Sequence, residues 1–498
     1  MPRIACLLVA DFPLAAVRRA EPELRGRPLV TVDDDDPHAS LTAISAEARA
    51  LGVRVGLGAA QARAISSALV VRQPSAEVCR AAHEALLDVA DSFSPRVEDA
   101  SPGLAFLEIE GLQSLFGSES HLATSLTARL RRVGLDGRVG VASTKTAARL
   151  AAQTGEGVDV VRTGEERQRI AALPVSVLAP PEELSVTLGR WGIHSCGQLA
   201  ALPVTAVGWR FGDVGIRLWR TARGEDDAPL VARARVARFE EAVECGYAID
   251  SFEPLSFLLR AVLERLTARL DIRGLRAGDL ALSLGLEGGG RDERLVRVGA
   301  PTNEVKSLLA LMRLHFDRQS PSAAVEWFRL AAVPERLRPI ELDLFVRAGP
   351  TAQHLDLAIA RLTAIAGAER VGCPAVVDSH RPEAFAVERF VSSAMPAAAA
   401  RKDEDRCTPL ALRAFRPPAA IEVVCDRGRP DFVRALDRQE TFGGRVVTIA
   451  GPWRLSGEWW REACFARDYY DAELSDGGVY RIYREHRSDE WFADGVYD

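Results

Sequence analysis

Apolar and polar positions alternate in two rhythms along the N-terminal third of the chain. Ile4–Val9 is a short apolar run that predicts a strand, and Leu14–Arg25 follows with helical spacing. Leu29–Val32 predicts a second strand, and the acidic run 33–36 with Pro37 predicts a solvated turn. Leu41–Ala46 leads into an Ala-rich helix that stops at Gly52. Ala76–Ser92 predicts a helix, Leu104–Ile109 a strand, Ser114–Val133 a helix and Arg138–Ala142 a strand. A β-α-β-β…α-β order of this kind predicts an α+β core. Between 165 and 230 short helical segments are punctuated by Pro174, Pro180, Pro181, Gly189, Gly192 and Gly197, which predicts an all-α module. From 235 to 345 the order is strand, long helix, strands, helix, strand, with Ser256–Arg269 amphipathic and Asp279–Leu286 alternating. Residues 391–404 carry few bulky apolar side chains and read as a linker. Beyond them turn residues and aromatics predict a small β-rich domain, since four of the eight Trp and five of the six Tyr lie between Trp453 and Tyr497.

Composition narrows the class. A chain of 498 residues implies three or more domains, and 47% hydrophobic with 27% charged residues is ordinary for a globular protein. No run approaches the ~18 apolar residues that span a bilayer. The first apolar run is too short for a signal peptide and ends at Asp11, so a cytoplasmic location is expected. The cysteines form no CxxC pair, which disfavours a disulfide framework and a zinc ribbon. The net charge of −6 rules out a strongly basic nucleic-acid footprint. Lysine occurs only at 145, 306 and 402, so nearly every cation is an arginine. The histidines form no HxxxH or HExxH, and neither GxSxG nor a Walker-type GxxxxGK[ST] occurs. Gly288-Gly289-Gly290 reads as a hairpin loop, and His380 as a turn residue.

Five segments carry a family resemblance. Val9-Ala10-Asp11-Phe12-Pro13-Leu14-Ala15-Ala16-Val17 is similar to D-x-D-x-F-[FY]-A-x-V, and Pro22–Val30 to P-x-L-[RK]-G-[RK]-P-[VL]-V. Glu47-Ala48-Arg49 with Gly52 and Gly56 is similar to Y-E-A-R-x-x-G-x-x-x-G. Ser101–Glu108 stands where S-x-D-E-A-F-L-D is expected, and Gly140–Ala148 is similar to G-[IV]-[AS]-x-[NT]-K-x-x-A. In this order and spacing they resemble the Y-family, the translesion DNA polymerases. The resemblance implies an α+β multidomain chain with a right-hand body and a C-terminal β-rich extension. Its expected parts are a palm (1–24 and 76–164), fingers (25–75), a helical thumb (165–232), a little finger (233–345), a helical or extended segment (346–390), the linker (391–404) and an aromatic-rich domain (405–498).

Members of that family hold two divalent ions on three carboxylates, which clamp the attacking oxygen and the triphosphate. The matching positions here are Val9, Gly103 and Leu104, none of which can ligate a metal. No metal, cofactor or catalytic group is therefore expected. Asp11 remains, and an extended strand would place it on the face of Val9 and ~6–7 Å along. Arg49 and Lys145 match triphosphate contacts of the family, or else serve as fold-stabilising cations. In the thumb, a phosphate-binding G-x-G turn is replaced by Ala179-Pro180-Pro181-Glu182-Glu183, where prolines remove donors and glutamates repel phosphate. Residues 231–340 carry 17 Lys and Arg against 15 Asp and Glu, so DNA contact through their arginines is expected to be weak and salt-sensitive.

Glu341-Leu342-Asp343-Leu344-Phe345 is similar to the short peptide by which bacterial polymerases bind the sliding clamp. Glu341 stands in place of the usual Gln, and a final little-finger strand is the other reading. Gln353–Leu357 is a weaker candidate that reads better as the start of a helix to Ile365. Segments 371–385, 450–460, 466–470 and 491–498 resemble one branch of the family, catalytically inactive homologues from damage-induced mutagenesis cassettes. That branch implies a non-catalytic adaptor joining the clamp, a RecA-like accessory protein and an error-prone replicative-type polymerase at damaged DNA. No membrane partner is expected. The Trp and Tyr of the tail serve either as interface anchors or as the core of a small domain. An active low-fidelity polymerase and a plain damaged-DNA-binding protein are the alternatives.

Overall fold

The computed structural model describes residues 2–34, 36, 39–226, 228–234, 238–336, 352–379, 381, 384–388, 411–436, 442–458, 460 and 464–497. The chain divides into two compact units, Met1–Ala366 and Gly367–Asp498. The clamp-like segment 341–345, the linker 391–404 and His380 lie outside the described residues.

In chain order the first unit begins with β1 (Ile4–Leu8), α1 (Phe12–Ala20), β2 (Leu29–Val32), β3 (Leu41–Ile44), α2 (Ala46–Ala50), α3 (Ala59–Ile65), β4 (Val70–Arg72) and α4 (Ala76–Asp91). It continues with β5 (Val97–Ser101), β6 (Leu104–Glu108), α5 (Gln113–Phe116), α6 (Glu119–Arg132), β7 (Arg138–Ala142), α7 (Lys145–Thr154) and β8 (Val158–Val160). A five-stranded sheet of order β5-β6-β1-β7-β8 forms its centre. Strand alternation buries both faces. Ala5, Leu7 and Val9 meet α4 and α6, while Ile4 and Cys6 meet α7 and the helices that follow. The helix predicted from Leu14 to Arg25 stops at Ala20, because Pro22 cannot continue it and opens a 3-10 turn instead. The helix predicted over Ser114–Val133 is two helices, broken where Gly117 takes φ +75° and Ser118 caps α6 through its side chain. Strands β2, β3 and β4 form a separate three-stranded sheet over a small core of Val30, Leu41, Ile44 and Val53.

Four helices follow, α8 (Glu166–Ala171), α9 (Glu182–Arg190), α10 (Cys196–Ala200) and α11 (Val204–Ala222), packed around Leu184, Leu188, Cys196 and Leu218. This is the expected all-α module. Next come β9 (Phe239–Ile249), α12 (Phe252–Ile272), β10 (Arg276–Leu286), β11 (Arg291–Val296), α13 (Val305–Arg318), β12 (Val325–Glu335) and α14 (Ala352–Ala366). The four strands pair antiparallel in the order β11-β10-β12-β9, with Leu259, Leu263, Leu266, Leu282 and Phe328 in their core. Gly288–Gly290 is the loop between β10 and β11, as its glycines imply. The weaker clamp candidate at 353–357 falls inside α14.

The second unit opens with a short antiparallel pair, β13 (Cys373–Ala375) and β14 (Ala386–Glu388). It then forms a closed barrel from β15 (Leu412–Asp426), β16 (Arg429–Ala435), β17 (Gly443–Gly457), β18 (Phe465–Leu474), β19 (Val479–Glu485) and β20 (Trp491–Tyr497). Each strand pairs with the next, and β15 with β20 closes the ring. Tyr469, Tyr470 and Tyr483 are buried and serve as core, whereas Trp453 and Trp460 are at least half exposed. No helix among the described residues is long and apolar enough to cross a membrane.

Candidate functional site

The three positions where carboxylates would be expected do come together. In the β1/β6 pairing Leu8 faces Leu104, and one step on the Val9 N–H donates to the Gly103 carbonyl at 2.8 Å. What converges there is apolar. Val9 is buried in the core beneath α4 and α6, and Leu104 packs against the core beneath α7. Gly103 holds φ +80°, and a Cβ built on it would lie 2.8 Å from Cδ2 of Phe12. Phe12 therefore occupies the space that a side chain at 103 would need. Its ring meets His83 edge-on at 6.0 Å.

His83 completes this plug. Its Nδ1 accepts the Gly103 N–H at 3.2 Å, which requires the proton on Nε2, and Nε2 lies 2.8 Å from Oδ1 of Asp99. Nothing in the sequence pairs a histidine of α4 with the β5–β6 turn. Asp11 does not fulfil the strand expectation. β1 ends before it, and Asp11 is an exposed, left-handed residue (φ 45°) at the N-cap of α1. Phe12 and Pro13 start the helix too soon for the strand to run on. Among the described residues no group of three or more His, Cys, Asp and Glu is placed to hold a metal ion. The residues at 9, 103 and 104 do not fit the two-ion chemistry of the polymerases.

The two cations matched to the triphosphate have separate duties. Lys145, at the start of α7, places Nζ 3.1 and 3.2 Å from the Glu98 carboxylate oxygens and donates to the Pro229 carbonyl at 3.1 Å. Glu98 in turn accepts the Val231 N–H at 2.7 Å, and the Arg233 N–H donates to Val97 at 2.8 Å. Asp226 accepts from the Thr146 N–H and hydroxyl. The chain after α11 thus straps across the α7 N-terminus and along β5. Arg49 is exposed and donates to the Ile44 carbonyl at 3.2 Å. At the turn before α9 Ala179 is left-handed, Pro181 caps α9 without a side-chain bond, and Glu182 and Glu183 fill the first helical turn. No anion-binding cradle forms there.

A second charged cluster was not foreseen from the sequence. Arg19 of α1 forms a bidentate pair with Glu241 of β9, at 2.8 and 2.6 Å. Arg269 of α12 donates to Asp88 of α4 at 2.7 Å and to Glu241 at 3.1 Å, and its remaining N–H groups reach the carbonyls of Glu240 and Arg238. Arg273 adds Asp88 at 3.2 Å and Asp91 at 2.9 Å. Arg19, Asp88, Glu241 and Arg269 are all no more than 3% exposed. Burial would raise the Glu241 carboxyl, but Arg19, with Arg269 and Arg265, holds it down at about 2. Arginines of the 233–273 stretch are thus spent on carboxylates of α4 and β9, which lowers the positive charge left for a phosphate backbone.

Comparison with known proteins gives the family. Residues 8–153 match the IMS family, described as the impB/mucB/samB family. Over 466 residues the chain is 30% identical to Protein ImuB of Caulobacter vibrioides strain NA1000 / CB15N, a match covering 90% of this chain and 100% of that protein. It is 29% identical over 269 residues to DNA polymerase IV of Pseudomonas syringae pv. tomato, covering 53% of this chain and 74% of the polymerase. The crystal structure of DinB from Sulfolobus solfataricus aligns over 68% of this chain and 100% of its own, at 16% identity and a TM-score of 0.42. A match of 30% identity along the full length of one relative carries the assignment: the chain belongs to the ImuB family, with a UmuC- and DinB-like domain over residues 8–153.

Proposed function

We propose that this protein is a non-catalytic adaptor of damage-induced translesion DNA synthesis, working in the cytoplasm. It links the sliding clamp, a RecA-like accessory protein and an error-prone replicative-type polymerase at damaged DNA. The observation that carries the reading is the Phe12 ring packed on Gly103, beside Val9, where the polymerase chemistry needs carboxylates. Each metal ion supplies several kcal/mol of transition-state stabilisation, and no side chain here replaces it. Clamp attachment is assigned to Glu341-Leu342-Asp343-Leu344-Phe345, whose apolar side chains are each worth ~1.5–3 kcal/mol on burial. DNA contact is weak, through arginines left over from internal pairing.

Primer extension with Mg²⁺ or Mn²⁺ is expected to yield no product. Templated addition that an Asp11→Ala change abolishes would overturn the reading. A pull-down from damage-treated cells should recover the clamp, and Leu344→Ala with Phe345→Ala should release it. Deleting the last ~90 residues should release the accessory protein and the polymerase. Recovery undiminished by either change would place that contact elsewhere in the chain, and failure of the wild type to recover any partner would leave only a DNA-binding role.

A further inference from the structure

Two sheets of the first unit are joined through charge and not through apolar packing alone. Arg19 of α1 with Asp88 and Asp91 of α4 belong to the side built on β1. Glu241 of β9 with Arg265, Arg269 and Arg273 of α12 belong to the side built on the four-stranded sheet. Partners cross the joint in both directions. Arg19 meets Glu241, Arg269 meets Asp88, and Arg273 meets Asp88 and Asp91. Arg265, whose side chain is 10% exposed, lies 3.4 Å from Glu241 and donates to the Ala20 carbonyl at 3.2 Å. One apolar residue goes with them. Ile272, the last residue of α12, is buried in the core formed by β1, α4 and α6. At the rim, Arg80 of α4 lies 3.4 Å from Glu240, and Arg329 of β12 pairs with Glu77. The chain leading into β9 is fastened too, since Arg233 donates to Asp91 at 2.8 Å and its own N–H to the Val97 carbonyl at 2.8 Å.

We propose that this joint is an all-or-none latch: the four-stranded sheet is either fully seated on the β1 side or fully lifted from it, with no stable position between. Apolar contact is non-directional and lets two surfaces slide by small steps. Guanidinium–carboxylate pairs are directional, and the Arg19–Glu241 pair is bidentate. A small tilt or slide keeps these ions out of water while it draws them off their partners, and an unmatched buried charge is costly. Complete lifting differs, because water then solvates the ions on both sides. The barrier therefore stands between two low positions. A lifted sheet does not travel far. With Arg233 still fastened, the stretch from 233 to 239 extends at most about 20 Å. The latch follows from ion matching alone, so it stands or falls apart from the adaptor reading.

Double electron–electron resonance on the full chain tests it, with nitroxides on p-acetylphenylalanine in place of Ser120 of α6 and Arg313 of α13, both exposed and outside the joint. The wild type should give one distance, unmoved by about 1 M NaCl, because buried pairs are little screened. As urea rises toward the main unfolding transition, a second, longer distance should grow in at a fixed position. At equal urea, Glu241→Gln strands Arg19 and should multiply the lifted-to-seated ratio roughly a hundredfold. Arg273→Gln leaves Asp88 with Arg269 and Asp91 with Arg233, and should multiply it roughly tenfold. All three proteins should share the same two distances and differ only in their proportions. A distance that drifts continuously, or by a different amount in each variant, would make the joint a soft hinge and overturn the proposal. So would an intermediate distance induced in the wild type by primer–template DNA. A second distance that never appears before the helices melt would make the joint an inseparable part of the core, which also overturns it. Should Glu241→Gln fail to fold, the wild type and Arg273→Gln decide by the same criteria.

Discussion

Two buried places in the first unit treat charge in opposite ways. At the end of β1 the chain places Val9 and Gly103 beside the Phe12 ring, with Leu104 against the core beneath α7. Where α1 and α4 meet β9 and α12, it buries Arg19, Asp88, Glu241 and Arg269 together. Val9, Phe12 and the four junction side chains are all buried. Desolvated charge is tolerable only when each ion is matched, and the junction matches every carboxylate with a guanidinium. The plug has no such partners, so apolar side chains are the stable filling. Charge in this body holds elements together, and the end of β1 is filled by apolar side chains.

The comparison breaks most sharply at the junction. Arg269→Met leaves Asp88 and Glu241 short of a partner in a buried site, and should cost about 3–5 kcal/mol. A drop in the urea midpoint of the earliest unfolding transition measures it. Replacing Arg269 and Asp88 together by Met and Leu should cost less than Arg269→Met alone, and an equal or larger loss would show that packing rather than ion matching dominates. Acid attacks the same place. Glu241 ordinarily titrates near 4.5 and is held at about 2, so its contribution is complete above pH 4.5 and is lost as pH falls toward 2. Thermal melts across that window should fall for the wild type and flatten for Glu241→Gln.

The plug should respond less. Gly103→Asp restores a carboxylate but forces a side chain into a left-handed backbone and against Phe12. A loss of about 1–3 kcal/mol is expected, with no gain in primer extension. Extension activity in this variant would show that the apolar filling alone silences the site. The smallest effects separate the two retained cations. Lys145→Met should cost about 1–2 kcal/mol and expose residues 224–233 to limited proteolysis, because Glu98 loses its counter-charge and the strap its anchor. Arg49→Ala, with one bond to its own loop, should stay within about 0.5 kcal/mol.

Much of this architecture was legible before any coordinates. Apolar runs marked β1 and β7, helical spacing marked α4, and the proline-punctuated stretch marked the helical module. The spacing of motifs also placed Val9, Gly103 and Leu104 at one site. Their filling was not legible, because Phe12 reaches Gly103 only through the left-handed turn at Asp11, and alternation extrapolated past Leu8 put Asp11 on a strand instead. The junction was hidden for a different reason. Arg19 and Glu241 stand 222 residues apart, Asp88 and Arg269 181 apart, and each looks locally like a surface charge on an amphipathic element. Lys145 was read as a triphosphate contact or a fold-stabilising cation, but its partners were hidden, since its strap comes from a loop with no periodicity to read.

Closure of the second unit into a ring has a consequence for how anything can approach it. An open sheet recruits extended peptides by lending them its unpaired rim, and the same rim seeds runaway self-association when the chain is crowded. β15 and β20 spend that rim on each other. A visitor to this barrel must therefore be recognised by outward side chains such as Trp453, Val447 and Phe432, not by main-chain zippering. Specificity then resides in a handful of replaceable groups, so swapping partners would take a few surface substitutions and leave the wall of the barrel as it stands.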